Sequence, residues 1–363
     1  MLGLSITSSW GNGHATTYRG LVRELSGRGH EVLFLERDVP WYSANRDLPC
    51  PPYGRTELYE NLEDLRERFR PEVRHADFVM VGSYLPQGVA VGEWVLKTTR
   101  GVTAFYDIDT PVTLAKLARG EEEYLSATLL GRYDLYLSFT GGPTLRYLEE
   151  CLGARMARAL YCSCDPHLYY PEPAPPCWDL GYLGTYSQDR QPALERLMLE
   201  PARCWPAGQF VAAGPQYPED ITWPANVERI EHLAPPEHRG FYNRQRYTLN
   251  ITRANMVQAG YSPSVRLFEA AACGTPIISD CWPGLEEFFR PESEILLARS
   301  PEETLHYLRE WPEERRVEVG RRARARTLAE HTAAHRAREL EGYILALRDK
   351  LGGRRRVWGG RSA

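Results

Sequence analysis

At residues 260–280 the chain reads GYSPSVRLFEAAACGTPIISD, and this stretch decides the fold. Its residue types predict a loop of small side chains, a short amphipathic helix, a glycine turn and a buried strand. A loop that opens a helix presents free backbone N–H groups and the positive end of the helix dipole, which suits a phosphate. Arg266 can grip a diphosphate with two donors, and Glu269 on the same helix face can bind a ribose diol. The stretch therefore predicts a nucleotide site.

The same stretch resembles the donor-binding helix of GT-B glycosyltransferases, and most closely that of the CgeB-like, spore-maturation group. The resemblance is close over the second half of the chain and looser over the first. It implies an α/β fold of two Rossmann-like, doubly wound domains that face each other across a cleft. It also implies an enzyme that moves a sugar from a nucleoside-diphosphate-sugar to an acceptor, with no cofactor and no metal ion.

Alternating strand and helix patterns in both halves agree with that fold class. An apolar run at 2–7, a glycine loop, a helix pattern and a second apolar run at 31–36 form one βαβ unit. Further strands are predicted at 78–82, 102–106, 134–139, 180–183, 210–214, 227–230 and 247–251.

The chain divides into two predicted domains where its proline content rises. The predicted segments are an acceptor-side domain at 1–165, a linker at 166–178, a donor domain at 179–335, a helix at 336–351 and a basic tail at 352–363. The resemblance implies that the helix crosses back to the first domain, and the tail is expected to be disordered.

Composition points to a globular enzyme, because 43% of the 363 residues are hydrophobic and 25% are charged. A net charge of -4 argues against nucleic-acid binding by the whole chain. No targeting signal or membrane span is predicted, and eight cysteines without a C-x-x-C pair suggest reduced thiols in the cytoplasm. The arginine-rich run at 315–326 is interpreted as a solvated helix face, with peripheral membrane contact or binding of a polyanion as the alternatives.

Residues of the second half take their expected roles from the resemblance. The donor diphosphate is assigned to Ser187, Arg190, Ser262, Ser264 and Arg266, the ribose to Glu269, and the nucleotide base to the backbone of His232 and Leu233. The sugar is expected to border Tyr186, Asn255 and Tyr261. From the residues alone, Arg190 remains open to interpretation as an exposed arginine at a helix start.

One position departs from a related pattern. Retaining enzymes that resemble glycogen synthase carry a glutamate eight residues before the ribose glutamate, and here that position is Tyr261. Their retaining mechanism is therefore not carried over to this chain. The sequence does not identify the nucleotide base, the sugar, the stereochemistry or the acceptor, which can be a polysaccharide, a glycolipid, a protein or a natural product.

A glycine loop after the first strand is a candidate cradle for substrate. In GT-B proteins this loop lines the cleft, so the resemblance implies that His14 points at the reacting centre. Two alternatives are a capping role for His14 and a G-x-G-x-x-G dinucleotide site, in which Thr16 replaces the third glycine and Glu36 would bind a ribose. Expected cleft residues are Gly11, Asn12, Gly13, Gly141 and Gly142, although the last two can be only a turn.

Asp107 and Asp109 follow a predicted strand and complete the expected catalytic set with His14. One carboxylate is expected to act as the general base, with Asp107 preferred and helix capping as the alternative for Asp109. Their D-x-D spelling resembles the metal site of GT-A enzymes, but a metal site needs further ligands, so no metal is predicted.

Two other functions stay open on the sequence. One is a nucleotide-sugar epimerase of the same fold, which acts on the donor without an acceptor. The other is a non-catalytic protein that binds a nucleotide-sugar. The acidic pair favours an enzyme over a binding protein, because binding alone does not need those carboxylates.

Overall fold

The structure is a computed structural model that describes residues 1–11 and 13–358, with side chains described as far as residue 348. The expected cleft residue Asn12 and the last residues of the predicted tail, 359–363, lie outside the described residues. The chain forms two compact units. Unit 1 contains residues 1–161 together with the helix that starts at Ala333, and unit 2 contains residues 162–332.

Unit 1 is built on a parallel sheet of seven strands in the order β3-β2-β1-β4-β5-β6-β7. The strands are β1 Leu2–Gly3, β2 Leu33–Arg37, β3 Arg55–Tyr59, β4 Phe78–Gly82, β5 Val102–Asp107, β6 Leu135–Ser138 and β7 Ala157–Ala159. The helices between them are α1 His14–Gly27, α2 Pro40–Ser43, α3 Leu62–His75, α4 Gly88–Thr98, α5 Thr110–Ala118, α6 Ala127–Leu130 and α7 Pro143–Glu150.

Unit 2 repeats this plan with a parallel sheet of six strands in the order β10-β9-β8-β11-β12-β13. The strands are β8 Trp178–Leu183, β9 Phe210–Ala213, β10 Val227–Ile230, β11 Gln245–Asn250, β12 Ile277–Ser279 and β13 Leu296–Leu297. The helices are α8 Gln191–Leu194, α9 Glu200–Cys204, α10 Pro235–Asn243, α11 Ala254–Ala259, α12 Val265–Ala272, α13 Pro301–Arg309 and α14 Glu313–Glu330. A π-helical turn at Glu195–Leu199 joins α8 to α9, and a 3-10 turn forms at Leu285–Glu287.

The final helix, α15 Ala333–Trp358, belongs to unit 1 and extends beyond the predicted end at Leu351. Glu341 of α15 accepts from Arg28 Nε at 2.7 Å and lies 2.8 Å from His30 Nε2, both just after α1. Tyr343 donates to the carbonyl of Ala159 at 3.0 Å. These bonds hold α15 against the elements of unit 1.

Hydrophobic residues pack on both faces of the unit 1 sheet. Successive strand residues point to opposite faces, so the fully buried Phe105 and Tyr106 belong to different core clusters. Tyr136 joins the cluster of Phe105, whereas Leu135 joins that of Tyr106. This arrangement is typical of a parallel sheet that is covered by helices on both sides.

Each sheet has a switch point, where neighbouring strands lead the chain toward opposite edges of the sheet. In unit 1 it lies between β1 and β4, and in unit 2 between β8 and β11. Ligands of open α/β sheets bind beyond the carboxyl ends of the strands at such points. The loops after β1, β4, β8 and β11 are therefore the places where a site is expected.

The first strand is shorter than predicted, because a buried carboxylate binds the backbone that follows it. Glu36 Oε2 accepts from the amides of Ile6 and Thr7 at 2.7 and 3.0 Å, and its Oε1 accepts from the hydroxyls of Ser5 and Thr7. β1 consequently ends at Gly3, and the turn that leads to α1 is held by the end of β2.

The segment predicted as a linker, 166–178, lies on unit 2. The amide of Glu172 donates to Asn243 Oδ1 at 2.8 Å, and the carboxylate of Glu172 pairs with Arg239 at 2.8 Å. β8 begins at Trp178, the last residue of that segment. Strands β3, β7 and β13 were not expected from the sequence.

The arginine-rich run lies on α14, where glutamates of the same helix pair with it. The exposed Arg321 and Arg322 contact the carboxylate of Glu318 at 2.7 and 2.6 Å. Such pairs are typical of a solvated helix face. None of the helices in the described part of the chain combines the length and the apolarity needed to cross a bilayer.

Candidate functional site

The switch point of unit 2 brings together the loop after β8, the end of β11 and the start of α12. Helix α12 begins after Ser264, whose hydroxyl donates to Asn250 Oδ1 at 2.8 Å and makes no side-chain cap. The backbone carbonyl of Ser264 accepts from the amide of Leu267 at 3.1 Å. The first turn of α12 therefore has no capping side chain, which is the arrangement that accepts an anion.

Arg266 is the buried cation of this site, with 8% of its surface exposed. Its Nε donates to the carbonyl of Leu183 at 2.6 Å, its Nη1 donates to Asn250 Oδ1 at 2.9 Å, and its guanidinium lies 5.0 Å from the ring centre of Tyr182. In the described part of the chain no carboxylate lies within 4.0 Å of it. A Cβ atom at Gly184 would lie 3.0 Å from Arg266 Nη2, so the missing side chain leaves room there.

Arg190 is the second cation of the site, and it is half-buried rather than the exposed arginine of the alternative interpretation. Its Nη2 donates to the carbonyl of Thr185 at 2.6 Å. Its Nε is buried and has no hydrogen-bond partner among the described residues. A buried donor without an acceptor costs free energy, so this nitrogen indicates a place for an anionic ligand.

Arg190 and Arg266 act on the same region, because they donate to the carbonyls of Thr185 and Leu183, which lie two residues apart at the end of β8. Burial raises the pKa of Tyr217, whereas the positive charges of Arg229, Arg190 and Arg266 oppose the rise. The Tyr217 hydroxyl donates to the carbonyl of Gly184 at 3.1 Å, and the Arg229 guanidinium lies 4.3 Å from the ring centre of Tyr217. The loop after β8 therefore lies in a field of concentrated positive charge.

Glu269, the expected ribose ligand, is 4% exposed on α12. Its Oε2 accepts from the hydroxyl of Tyr242 at 3.3 Å. Burial raises the pKa of Tyr169, and the charge and hydrogen bond of Glu269 raise it further. Two tyrosines thus hold this carboxylate in one position.

The other residues expected around the donor each have different contacts. The hydroxyl of Ser187 donates to Asp189, whose other oxygen accepts from the amide of Ala254 at 2.8 Å. The ring of Tyr186 packs against that of Tyr217 with 5.6 Å between centres. Ser262 is buried, and Asn255 is exposed on α11.

At the end of β10, His232 is exposed and Leu233 is half-buried. The carbonyl of Leu233 lies 3.2 Å from His238 Nε2, so this group is already engaged within unit 2. Tyr261 has a φ of 50°, and its ring occupies the space where a Cβ atom of Gly284 would lie.

The switch point of unit 1 brings His14, Tyr84 and Asp109 together. Tyr84 follows β4, and its hydroxyl donates to Asp109 Oδ2 at 2.9 Å. The His14 ring stacks on that of Tyr84 with 5.9 Å between centres, and the ring of Phe139 lies 6.5 Å away in an edge-on arrangement. Burial lowers the pKa of His14, whereas the charge of Asp109 raises it. A neutral imidazole beside a carboxylate can accept a proton.

Asp107 lies in a different environment from Asp109, because β5 ends between them. Its carboxylate is fully buried, and it accepts from the hydroxyls of Tyr136 and Thr113 and from the amide of Asp109. Burial raises the pKa of Asp107 to about 6, against the effect of these bonds. The structure thus encloses the residue preferred as the base and leaves Asp109 half-buried at the site.

Neither capping alternative in unit 1 agrees with the structure. Helix α1 has Gly13 at its N-cap, and Asp109, at the N-cap of α5, makes no side-chain cap bond. The dinucleotide alternative also disagrees, because the carboxylate of Glu36 is occupied by the backbone and hydroxyls of residues 5–7.

The glycines expected at the cleft differ in backbone conformation, exposure and packing. Gly11 is exposed with a φ of 60°, and Gly13 is exposed as well. A Cβ atom at Gly141 would collide with the hydroxyl of Tyr161, which gives that glycine a packing reason. Gly142 has a φ of 56° at the start of α7, which is the turn that the alternative interpretation expected.

The sequence did not predict the contacts that two buried polar residues of unit 2 make at the donor site, although the segment that begins at Asn250 was expected to border the sugar. Asn250 is fully buried and binds both Ser264 and Arg266, and Asp280 is 8% exposed and accepts from the amide of Thr252 at 2.8 Å. For both residues, the signal available in the sequence was a polar residue at the end of a buried strand. In the described residues, no three His, Cys, Asp or Glu side chains form a group able to hold a metal ion.

Comparisons with known proteins concern the fold and the enzyme class. Residues 190–342 match the model of a protein family described as "Glycosyl transferase-like". A search of the curated proteins finds no match. The family match agrees with the predicted enzyme class, glycosyltransferase.

Solved structures resemble almost the whole chain. Sucrose-phosphate synthase from Thermosynechococcus elongatus has a TM-score of 0.70 and 16% identity over 96% of this chain and 99% of its own. HepE from Anabaena, in complex with UDP and glucose, has a TM-score of 0.69 and 13% identity over 95% of this chain and 99% of its own. The chain has the GT-B fold.

A third GT-B structure is an alpha-glucosyltransferase in complex with UDP-glucose and DNA. It has a TM-score of 0.66 and 12% identity over 95% of this chain and 98% of its own. At these identities the likeness concerns the fold, which confirms the predicted fold class. The matched family does not distinguish the CgeB-like group from other glycosyltransferases.

Proposed function

We propose that this protein transfers a sugar from a nucleoside-diphosphate-sugar to an acceptor hydroxyl without a bound metal ion. The observation that carries the proposal is the arginine pair of unit 2. Arg266 and Arg190 are buried or half-buried, have no carboxylate partner among the described residues, and both donate to backbone carbonyls at the end of β8. Buried cations without internal counter-charges are expected where a ligand supplies the negative charge.

In the proposed reaction, the bond between the sugar's anomeric carbon and the diphosphate breaks, and the acceptor oxygen forms the new bond to that carbon. The nucleoside diphosphate leaves with the negative charge. Arg266, Arg190 and the uncapped start of α12 stabilise that charge as it develops, which is the role that a metal ion has in other transferases. Glu269 positions the ribose.

The acceptor hydroxyl loses its proton to unit 1. His14 is the base in this proposal, and Asp109 stabilises the imidazolium that forms, while Tyr84 holds the Asp109 carboxylate in place. Asp107 has a positioning role, since its enclosed carboxylate fixes the turn through the amide of Asp109 at 3.2 Å. HepE and the alpha-glucosyltransferase, whose structures contain UDP or UDP-glucose, support a uridine nucleotide as the first donor to try.

We also propose membership of the CgeB-like group, on the form Tyr261-Ser262-Pro263-Ser264 followed by Arg266. The acceptor in this proposal is a sugar or another molecule that carries a hydroxyl group.

The direct test measures nucleoside diphosphate release from UDP-, GDP-, ADP- and dTDP-sugars in EDTA, with and without a mixture of hydroxyl-bearing acceptors. Release by the wild type is expected to be lost in Arg266→Ala and kept in the matched control Arg309→Ala, an exposed arginine on α13. A wild type that releases no diphosphate from any donor would refute the proposal. Activity that EDTA abolishes and a divalent ion restores would refute metal independence, and an epimerised donor without release would indicate an epimerase.

A further inference from the structure

The side chain of Asn250 lies between the donor arginine and a buried polar network. Its Oδ1 atom accepts from Arg266 Nη1 at 2.9 Å and from Ser264 Oγ at 2.8 Å. On the other side, its Nδ2 atom donates to Ser279 Oγ at 2.9 Å and lies 3.5 Å from Asp280 Oδ1. Asn250 is fully buried at the end of β11, directly at the switch point of unit 2.

These partners allow only one orientation of the amide. An arginine side chain can only donate hydrogen bonds, so it must face the amide oxygen. A carboxylate can only accept them when ionised, so the amide nitrogen must face Asp280. The assignment of oxygen and nitrogen therefore follows from the chemistry of the neighbours.

The frame that holds Asn250 is anchored in the backbone. Asp280 accepts from the Thr252 amide at 2.8 Å and from the Thr252 hydroxyl at 2.9 Å, and its own amide lies 3.2 Å from the carbonyl of Asn250. Asn250 is opposite Ser279 in the register of β11 and β12. A side chain held in this way can fix the direction of the guanidinium that it binds.

The side chain of Asn250 carries no charge, and this matters as much as its shape. An aspartate of the same size would also accept from Arg266, but its negative charge would form an ion pair with the guanidinium and offset the attraction that a diphosphate meets there. Arg266 is held instead by an amide and by the carbonyl of Leu183, so its direct partners carry no formal charge, and the carboxylate of Asp280 acts on it only from the far side of Asn250. A diphosphate that binds there meets a cation that is oriented but not paired.

We propose that Asn250 is a positioning residue that orients Arg266 toward the donor diphosphate while leaving the charge of Arg266 available to it. The inference rests on the proposed function, because it assigns a role within the same donor site. Asn250 acts through Arg266 and does not itself contact the reacting atoms.

The test is a double-mutant cycle on Asn250 and Arg266, with affinity for UDP, GDP and ADP measured by calorimetry. Asn250→Ala is expected to weaken diphosphate binding by roughly 10- to 100-fold, the scale of a lost hydrogen bond to a charged group. In the Arg266→Ala background the same substitution is expected to have no further effect, because its role is exercised through Arg266. Affinity for the nucleoside without phosphates should not change in either variant.

Two further variants keep the outcome clear. Asn250→Ser keeps a polar group in the buried network but places its oxygen one bond closer to the backbone and away from Arg266, so it serves if the alanine variant does not fold. Asn250→Asp is expected to lose more affinity than Asn250→Ala, because it adds a charge that competes with the ligand for Arg266 and sets a second carboxylate against Asp280. The matched control is Asn226→Ala, another asparagine of unit 2, whose Nδ2 donates to the carbonyls of Ala202, Trp205 and Gly208. It should lower stability and leave affinity unchanged.

The possible failures are distinguishable. If the wild type binds no nucleoside diphosphate, the proposed function fails and the role of Asn250 fails with it. If the wild type binds and Arg266→Ala weakens binding, but the effects of the two substitutions multiply or Asn250→Ala binds normally, only the role of Asn250 is overturned. If Asn250→Asp binds more tightly than Asn250→Ala, the argument from neutral charge is overturned.

Discussion

In unit 1 the loops at the switch point gather a histidine, a tyrosine and a carboxylate, whereas in unit 2 the corresponding places gather two arginines and an amide. Both sheets are parallel, and both have their switch point beside the first strand of the unit. The shared topology therefore determines where a ligand can bind. The side chains at those places determine whether the ligand meets a proton acceptor or a fixed positive charge.

If the two units divide the chemistry in this way, substitutions in unit 1 should affect turnover and substitutions in unit 2 should affect donor affinity. The largest effect is expected for His14→Ala. Loss of a general base should lower kcat by about 10²- to 10⁴-fold, while calorimetry shows unchanged donor affinity. His306→Ala, an exposed histidine of α13, is the control. A loss of donor affinity as large as the loss of kcat would contradict the division.

Glu36→Gln separates a structural carboxylate of unit 1 from the functional ones. The side-chain nitrogen of glutamine would face the N–H and O–H donors that now bind the carboxylate. The free energy of unfolding should therefore fall by about 2–4 kcal/mol. Chemical denaturation measures this difference. The control is Glu57→Gln on the neighbouring strand β3. Glu57 pairs with Arg55 at 3.4 Å and with Arg68 at 3.6 Å. Because these are surface ion pairs, the substitution should change the free energy of unfolding by less than about 0.5 kcal/mol. Unchanged stability of Glu36→Gln would reopen the dinucleotide interpretation of that glutamate.

Glu269→Ala tests the ribose contact of unit 2. Loss of a charged hydrogen bond should weaken binding of the nucleotide-sugar by about 1–3 kcal/mol, with little effect on the chemical step. The hydroxyls of Tyr169 and Tyr242 lose their partner in this variant, so its stability falls as well. The affinity for the nucleotide-sugar is therefore measured by calorimetry at a temperature below the melting temperature of the variant. Glu286→Ala, an exposed glutamate, should bind as the wild type does. Equal affinity in both variants would remove Glu269 from the site.

The smallest expected effect is a shift of a pH profile. Burial holds the pKa of His14 below 6.5, and the base must be neutral, so kcat/KM should rise with pH through that pKa. Asp109→Asn removes a negative charge that favours the imidazolium, so the pKa should fall further and the acidic limb should move by up to about one pH unit to lower pH. A limb that stays in place or moves to higher pH would contradict the coupling of His14 and Asp109.

The sequence predicted unit 2 better than unit 1 for a physical reason. The donor residues Ser262, Ser264, Arg266 and Glu269 lie within one loop and one helix, so their spacing is visible in the sequence. In unit 1, Tyr84 and Phe139 reach His14 from two other strands, and that contact has no local pattern.

Two further differences depend on where strands end. Alternation predicts that Asp107 and Asp109 share a face, but β5 ends at Asp107, so the two carboxylates acquire separate partners. Asn250 looks like the ordinary end of a strand, because its bond to Arg266 joins residues 16 apart. Three of the four edge strands, β3, β7 and β13, were missed because they are short or partly polar.

The most direct measurement is thermal stabilisation of the wild type and of Arg266→Ala by UDP, GDP, ADP and NAD. A ligand at about a hundred times its dissociation constant adds roughly 2.7 kcal/mol of stability, which a melting curve resolves. One family of nucleoside diphosphates is expected to stabilise the wild type and to lose most of that effect in Arg266→Ala. Stabilisation by NAD alone, or by a diphosphate equally in both proteins, would contradict a diphosphate site built on Arg266.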